Sequence, residues 1–532
     1  MDVSCEYIDY NAIDSFPKLI IDYLSNDQKT KNFYELSPDI EGIKKAIIQR
    51  KNTTTNRASL VEHLSHQYSG IQLHNKVADN IQSLLKDNTF TVCTAHQPNI
   101  FTGHLYFIYK ILHTIKLADH LNSVIPEDKF VPVFYMGNED ADLEELGHIY
   151  INGKKYEWKT KQTGAVGKML VDDELIKLIG EFSGQIGIQP FGNSITKSIT
   201  ECYKKGITIQ QATLIFVDRL FGSFGLVTLI PDSPILKRSM IKVFEDDIFN
   251  HSPFNIVSES NTLLEKNYKV QAQPREINLF YIEEQLRKRI IKKNDLFIIE
   301  DSNITFTEAS IRTALHEHPE KFSPNVILRG LYQETILPNL AFIGGGGEIS
   351  YWLQLASLFK HYQVPFPVLL LRNSFMIIDQ KTNVLRNKLK IKTWDLFNNE
   401  IDQMNGIVLE LSSNNTSLEN SKNMLHSIYK TIKENSSKID STLEAHVDSL
   451  EKRAIEKIEA LEKKMIRAEK RKYTDQENQL KKLRSILFPN EILQERVENI
   501  IPFYSKWGDE FFINILKCSQ VFEQQFCIVK EN

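Results

Sequence analysis

Hydrophobic positions along the chain follow two rhythms, and the place where one gives way to the other is the most informative part of the sequence. Residues 90–93 are a β-branched and aromatic run, the composition of a buried parallel strand. A polar turn with Pro98 and Gly103 follows. From Leu105, apolar Ile108, Ile111, Leu112 and Ile115 recur at helical spacing. Runs 130–137 (FVPVFYMG), 212–218 (ATLIFVD), 226–231 (LVTLIP), 336–343 and 364–372 (VPFPVLLLR) read as further apolar strands. Helical stretches separate them, which predicts βαβ units and a mainly parallel sheet.

Other segments differ in rhythm. The first 90 residues read as mostly helical, with Ile43, Ile47, Leu60, Leu64, Val77, Ile81 and Leu84 on apolar faces. Residues 149–210 read as an insertion into the core. Its first part, 149–170, has short alternating segments and an Asn152-Gly153 turn that predict β-hairpins. Past Asn373 the chain turns polar and helical. Leu443, Val447, Leu450, Ala454, Ile458, Leu461, Met465 and Ala468 step mostly by four and three, which predicts a coiled coil with one stutter. As one helix, residues 439–487 would run about 75 Å at ~1.5 Å per residue. Its apolar seam needs a partner: the preceding helix around 418–433, a second subunit, or both. Three parts follow: a core over 1–372, a helical and coiled-coil region over 373–487, and a tail over 488–532 that docks back on the core.

Composition narrows the class. The 532 residues are 42% hydrophobic and 25% charged, with net charge −4. That balance disfavours a nucleic-acid-coating surface. Residues 451–484 carry twelve Lys/Arg against seven Asp/Glu, which reads as the exterior of a coiled coil, with a nucleic-acid arm as the alternative. There is no signal-like start and no run of about 18 apolar residues, so a cytoplasmic protein without a membrane span is expected. Cys5, Cys93, Cys202, Cys518 and Cys527 are scattered and form no C-x-x-C pair, so neither a disulfide framework nor a zinc site is expected. No P-loop and no G-x-G-x-x-G is present.

Candidate chemistry sits where strands end. The turn after residues 90–93 carries His96, Gln97, Thr102, Gly103 and His104, and a strand–turn–helix of this kind presents backbone N–H groups to phosphate. Phe101-Thr102-Gly103-His104-Leu105 resembles the HIGH signature of class I aminoacyl-tRNA synthetases and nucleotidyltransferases, with His104 at its second histidine. A helix start with an incidental histidine is the plain alternative. Asn138, Glu139, Asp140 and Asp142 follow the second strand, where they could bind an ammonium, a ribose or Mg²⁺, or simply cap a helix. Gly344, Gly345, Gly346 and Gly347 precede Glu348 and a helix with Tyr351, Trp352, Leu355 and Phe359, and read as a loop that lets backbone approach a nucleotide or sugar. Arg329, Tyr332 and Gln333 lie upstream, with Arg329 suited to carboxylate or phosphate.

Four blocks in order carry a wider resemblance: HQPNIFTGHLYFIYK, PVFYMGNEDADLEELGH, FSPNVILRGLYQETILPNLAFIGGGGEISYWLQL and LQERVENIIPFYSKWG. With the coiled coil, they resemble the cysteine-adding ligases of bacillithiol biosynthesis over nearly the full length. The resemblance implies an α/β fold: a Rossmann-like parallel-sheet core of class I synthetase type, connecting-peptide insertions, and a long coiled coil that mediates a homodimer. It also implies addition of L-cysteine to the amino group of glucosaminyl-malate, with ATP (or bound ADP) and Mg²⁺ and without zinc. On that reading Thr102, Gly103 and His104 stabilise phosphoryl transfer, and Glu139, Asp140 or Asp142 hold the cysteine ammonium or Mg²⁺. Arg329 would take the malyl carboxylates. Two positions depart from the family pattern: His104 stands where proline is expected, and Gly346 where proline is common. No KMSKS-like lysine loop is found. Rival readings are another adenylating or nucleotidyl-transferring enzyme on the same core, and a nucleotide-binding coiled-coil interaction protein.

Overall fold

The computed structural model describes residues 2–412 and 417–532. One unit comprises Met1–Met376 with Ile492–Val529, and a second comprises Ile377–Glu491 with Lys530–Asn532. Among the described residues, no helix is long and apolar enough to cross a membrane.

A five-stranded parallel sheet organises the first unit. Its order is Val368–Leu371, Asn339–Gly344, Thr89–His96, Lys129–Met136, Val227–Leu229. Helices cover both faces, which is why its strands are apolar at successive positions rather than alternating. Register pairs Phe90 with Phe130 and Thr94 with both Phe134 and Ile343. Helix Leu105–Val124 makes the first crossover, with Leu105, Ile108, Ile111, Leu112 and Ile115 fully buried. Helix Ile40–Lys51 starts on the Asp39 side chain, which accepts from the Gly42 N–H, and it packs Ile43 and Ile47 against Phe90, Leu340 and Val368. Its Arg50 reaches the buried Glu334 carboxylate (2.5 Å) and the Asn339 carbonyl (2.7 Å), tying this helix to the sheet.

From strand Thr89–His96 the chain moves to one side of the sheet, then returns to place Asn339–Gly344 on the other. These two neighbours therefore form the topological switch point, outside whose carboxyl ends ligands bind in open α/β sheets.

Several expected elements differ. Residues 212–218 lie in helix Ile209–Phe221, started by a capping box of Thr208 and Gln211, and not in a strand. A short unbroken apolar run is compatible with a buried helix as well as a strand. Region 149–170 contains a single hairpin, His148–Ile151 with Lys154–Glu157, turning through Asn152 and Gly153 at positive φ. Helices Asp173–Ile186 and Gly192–Cys202 follow. An antiparallel sheet over residues 279–324 was not anticipated. Its order is Thr305–Phe306, Leu296–Ile299, Leu286–Lys293, Leu279–Glu283, Phe322–Pro324. A third sheet joins Val3–Asp9, Gln525–Glu531 and Ser374–Ile378, so the chain begins with a strand.

In the second unit, helix Glu419–Ser437 packs antiparallel on Leu443–Lys470. Side-chain contacts mark the register: the ion pairs Lys433 with Asp448 and Lys422 with Glu462, and the hydrogen bond between His426 and Glu451. The coiled coil thus has the preceding helix as a partner. The single helix over 439–487 is not observed. Leu443–Lys470 ends before Arg471, and Thr474–Leu487 starts anew, so the longer piece spans about 42 Å. The break aims Leu480, Leu483 and Leu487 into a buried position, where the second piece packs against Gln380–Lys388 and Glu400–Leu411.

Candidate functional site

A cleft of about 570 Å³ opens at the switch point. Ala95, His96 and Gln97 line it from the end of Thr89–His96, and Gly345, Gly346, Gly347 and Glu348 from the end of Asn339–Gly344. Gly137 and Asp140 follow the next strand, and Arg372 follows Val368–Leu371. The antiparallel sheet adds Phe280, Arg287 and Arg289. Position explains the last two: along strand Leu286–Lys293 side chains alternate, so Arg287 and Arg289 share a face while Lys288 points the other way to Asp301.

Charge is the dominant property of this cleft. Seven cationic side chains line it (Lys110, Arg275, Arg287, Arg289, Arg329, Arg372 and Arg496) against three carboxylates, Asp140, Glu145 and Glu348. Asp140 accepts both arms of Arg329, at 2.9 and 2.6 Å, with Arg287 3.5 Å away. Burial alone would raise its pKa, but Arg329 outweighs burial and holds the carboxyl below its usual range. Arg372 makes a two-armed pair with Glu495 at 3.0 and 2.6 Å, both side chains buried. Lys110 donates to the Ala95 carbonyl (2.9 Å) and pairs with Glu348, which also accepts from the Gly345 N–H at 2.8 Å. Burial lowers the Lys110 pKa despite Glu348. Arg275, Arg289 and Arg496 have no carboxylate within ion-pair distance among the described residues. The cleft therefore has uncompensated positive charge, which suits a ligand with several anionic groups.

His96 stacks on Phe107 (5.1 Å) and meets the edge of Tyr106 (5.3 Å). Burial, with Lys110 nearby, drives its pKa well below the ordinary histidine value, so the ring is neutral at pH 7. Its Nε2 is buried and unpartnered among the described residues. A buried polar atom of this kind at a cleft wall is a place for a ligand hydrogen bond.

Of the residues singled out in the sequence, the structure gathers His96, Gln97, Asp140, Arg329, Gly345, Gly346, Gly347 and Glu348 around the cleft. Others are placed elsewhere. Thr102 and Gly103 have positive φ (72° and 63°), and the Phe101 and Gly103 carbonyls on either side of Thr102 accept from the Asn499 side chain of the C-terminal segment. A Cβ at Gly103 would meet the Asn99 Cβ at 2.7 Å, so glycine is required there. His104 precedes the helix and bonds through Nδ1 to the Val497 carbonyl (2.9 Å). The turn that resembles the HIGH signature thus braces residues 497–499 and does not line the cleft.

The acidic loop divides likewise. Asn138 donates to Gln210 (2.6 Å), and Asp142 caps helix Leu143–Leu146 by accepting from the Glu145 N–H. Glu139 pairs with fully buried Lys237 at 2.5 Å, and Asp232 joins Lys237 and Lys168 at 2.8 and 2.7 Å. The expected trio of ligand-binding acids is therefore distributed over a salt bridge to Arg329, a buried ion-pair network and a helix cap. The Tyr332 hydroxyl donates to the Pro231 carbonyl, Gln333 donates to Glu334, and Trp352 stacks on Phe342 at 4.5 Å. Gly344 ends its strand, and its neighbours form a helix start and not an open loop: Gly345 caps helix Gly346–Trp352.

Sequence reasoning missed Arg275, Arg287, Arg289 and Arg372 as cleft residues, whereas Arg496 lies in the tail expected to dock back on the core. A signal existed for two kinds of them. Arg372 ends an apolar strand, where ligands bind, and Arg287 with Arg289 has the two-residue spacing of one strand face.

Comparison with known proteins agrees with this architecture. Residues 3–373 match the family model described as the N-terminal Rossmann-like domain of bacillithiol biosynthesis BshC, and residues 375–531 match its C-terminal coiled-coil domain. Two relatives, each named "Putative cysteine ligase BshC", come from Flavobacterium johnsoniae (36% identical) and Flavobacterium psychrophilum (37% identical). Each alignment covers 98% of this chain and 99% of the relative. A relative of the same name from Chlorobaculum tepidum is 27% identical over 89% of both chains. With both units matched over nearly their full length, the chain belongs to the bacillithiol biosynthesis BshC family.

Proposed function

We propose that this protein is a cytoplasmic cysteine ligase that joins the carboxyl group of L-cysteine to the amino group of glucosaminyl-malate. The observation that carries this reading is the cationic cleft at the switch point, in a chain whose relatives are named as cysteine ligases. The acceptor has two malyl carboxylates. Arg275, Arg289 and Arg496 are the cations free to take them, since Arg329 has both arms on Asp140. Arg329 then acts by holding Asp140 in place and charged.

Amide formation needs an activated carboxyl. ATP, when bound, supplies the phosphoryl or adenylyl group that makes one carboxyl oxygen of cysteine a leaving group. The surplus of arginine and lysine in the cleft fits its phosphates, and Mg²⁺ would enter with them, because Asp140 and Glu139 are each committed to a cation. Neutral His96 offers its unpartnered Nε2 to the acceptor amine, whose lone pair must be free for attack. Phe280, Tyr106 and Tyr351 supply walls that limit water at the activated carboxyl. We further propose a homodimer through the helical hairpin, supported by Met424, Ile428 and Ile432, which remain 69%, 53% and 45% exposed on it.

The test is a mass-spectrometric assay of the purified full chain with cysteine, glucosaminyl-malate, ATP and Mg²⁺. The expected product has the summed mass of both substrates less one water, with nucleotide consumed in step. Folded protein that binds nucleotide and forms no amide would overturn the ligase reading and favour a nucleotide-binding interaction protein.

A further inference from the structure

Cys5 is more than 500 positions from Cys518 and Cys527, and the three were not expected to meet. The fold brings them together: Cys5 on strand Val3–Asp9, Cys518 at the end of helix Glu510–Cys518, and Cys527 on strand Gln525–Glu531. Cys5 and Cys518 are bonded as a disulfide, although no disulfide framework was expected from the sequence. The sulfur of Cys527 lies with theirs, all three within 4.8 Å of one another. No other group of three or more histidine, cysteine or acidic side chains gathers this closely among the described residues. Cys93 and Cys202 are buried elsewhere and free.

A disulfide needs two sulfurs; a third beside both has no structural task in it. Once the disulfide is opened, three thiolates whose sulfurs start within 4.8 Å of one another can spread to meet another demand. Tetrahedral Zn²⁺ with Zn–S bonds of about 2.3 Å places its sulfurs about 3.8 Å apart. We propose that Cys5, Cys518 and Cys527 form a three-thiolate site for Zn²⁺ in the reduced protein, and that the Cys5–Cys518 disulfide is its oxidised, metal-free form. Opening the disulfide takes two electrons: two molecules of a low-molecular-weight thiol give up their hydrogens and become one disulfide, leaving two cysteine thiols. Binding Zn²⁺ then releases three protons to solvent, one from each thiol. The fourth ligand is water or an external thiol, because among the described residues no histidine or carboxylate joins the cluster and Cys5, the least buried of the three, leaves a side toward solvent. Tyr7 closes another side: its hydroxyl donates to the Cys518 carbonyl (3.1 Å) and contacts Cys527. The cluster joins residues near both ends of the chain, so metal or disulfide would clamp the three-stranded sheet.

The experiment reads metal content, without substrate, and is independent of whether the ligase reading holds. The full chain is reduced anaerobically with a phosphine, desalted, loaded with Zn²⁺ and dialysed, and metal per chain is measured by mass spectrometry. One Zn²⁺ per chain is expected, with three sulfurs in the zinc X-ray absorption spectrum, and loss of the metal in C5S, C518S and C527S. The proposal is overturned if the disulfide resists reduction in the folded chain, if the reduced chain stays zinc-free, or if C527S retains the full metal ratio. Should a variant fail to fold, the sulfur count in the unmodified chain decides alone, and fewer than three sulfurs overturns the site.

Discussion

Arg372 and Glu495, 123 positions apart, meet in a buried pair whose two bonds are 3.0 and 2.6 Å long. The same guanidinium donates to the Asn373 carbonyl and the Ser374 hydroxyl, and Glu495 also accepts from the Phe375 N–H. The pair joins the end of a sheet strand to the C-terminal segment at the wall of the cleft. Glu495→Ala leaves an uncompensated buried guanidinium and is expected to cost about 3–5 kcal/mol of stability. Urea denaturation of the variant measures this; a loss below about 1 kcal/mol would mean that water reaches Arg372.

Arg329 is expected to be intolerant of a conservative change. Lysine keeps the charge but cannot make two parallel bonds to Asp140. Loss of one charge-assisted bond, worth ~1.5–3 kcal/mol, predicts a fall of roughly ten- to a hundredfold in kcat/KM for Arg329→Lys. An unchanged kcat/KM would remove Asp140 from the working site.

The strand carrying Arg287 and Arg289 allows a face-by-face comparison. Arg289→Ala is expected to raise KM for the anionic acceptor by about tenfold or more, and to weaken the dependence of KM on salt. Lys288→Ala, on the opposite face and paired with Asp301, is expected to change neither. Steady-state kinetics at two ionic strengths distinguish them, and equal effects would place the acceptor elsewhere.

His113 predicts a pH dependence of stability. Its Nδ1 accepts from the Asn373 N–H (3.2 Å), so Nε2 carries the proton donated to the Val521 carbonyl (3.0 Å). Burial pushes its pKa down to about 4, with Arg372 adding to the shift, and Val521 and Glu523 opposing it. The unfolded chain takes up this proton near the ordinary value of about 6.5 and the folded chain only near 4, so stability falls as pH drops across that window and levels off below it. The loss from this one group approaches ~3 kcal/mol. In urea titrations between pH 7 and 4, His113→Gln should show a correspondingly smaller decline than the unmodified chain; parallel declines would refute the assignment.

The proposed dimer makes a separate prediction. Ile428 lies half exposed on helix Glu419–Ser437. A charge there leaves the hairpin's own ion pairs in place while disrupting an apolar contact between chains. Ile428→Lys should sediment as a monomer under conditions where the unmodified chain sediments as a dimer, with helix content unchanged.

Local patterning made much of the framework legible. The apolar runs at 90–93, 130–137 and 364–372 could be assigned to parallel strands because buried strands need unbroken apolar sequence, and Leu105, Ile108, Ile111 and Leu112 marked the crossover helix by their spacing. Those strand ends, and four ordered blocks of sequence, located part of the cleft and the family. Where two structures satisfy one pattern, the sequence was not enough. Residues 212–218 are equally apolar as strand or helix, and only their packing within Ile209–Phe221 decides. Charges were still less legible, because a side chain's task depends on its partner. Arg329 reads as a free anion binder until Asp140, 189 positions away, is brought onto it. Glu139 reads as a ligand acid until Lys237 neutralises it. The convergence of Arg275, Arg289 and Arg496, and of Cys5, Cys518 and Cys527, has no local signature, since each set comes from separate elements. Sequence by itself determined which segments must be buried, because burial and periodicity are local; the order of the strands across the sheet came only with the fold. Tertiary structure alone decided which charges remain free and which thiols meet, because ion pairing and sulfur chemistry depend on distances that only the folded chain sets.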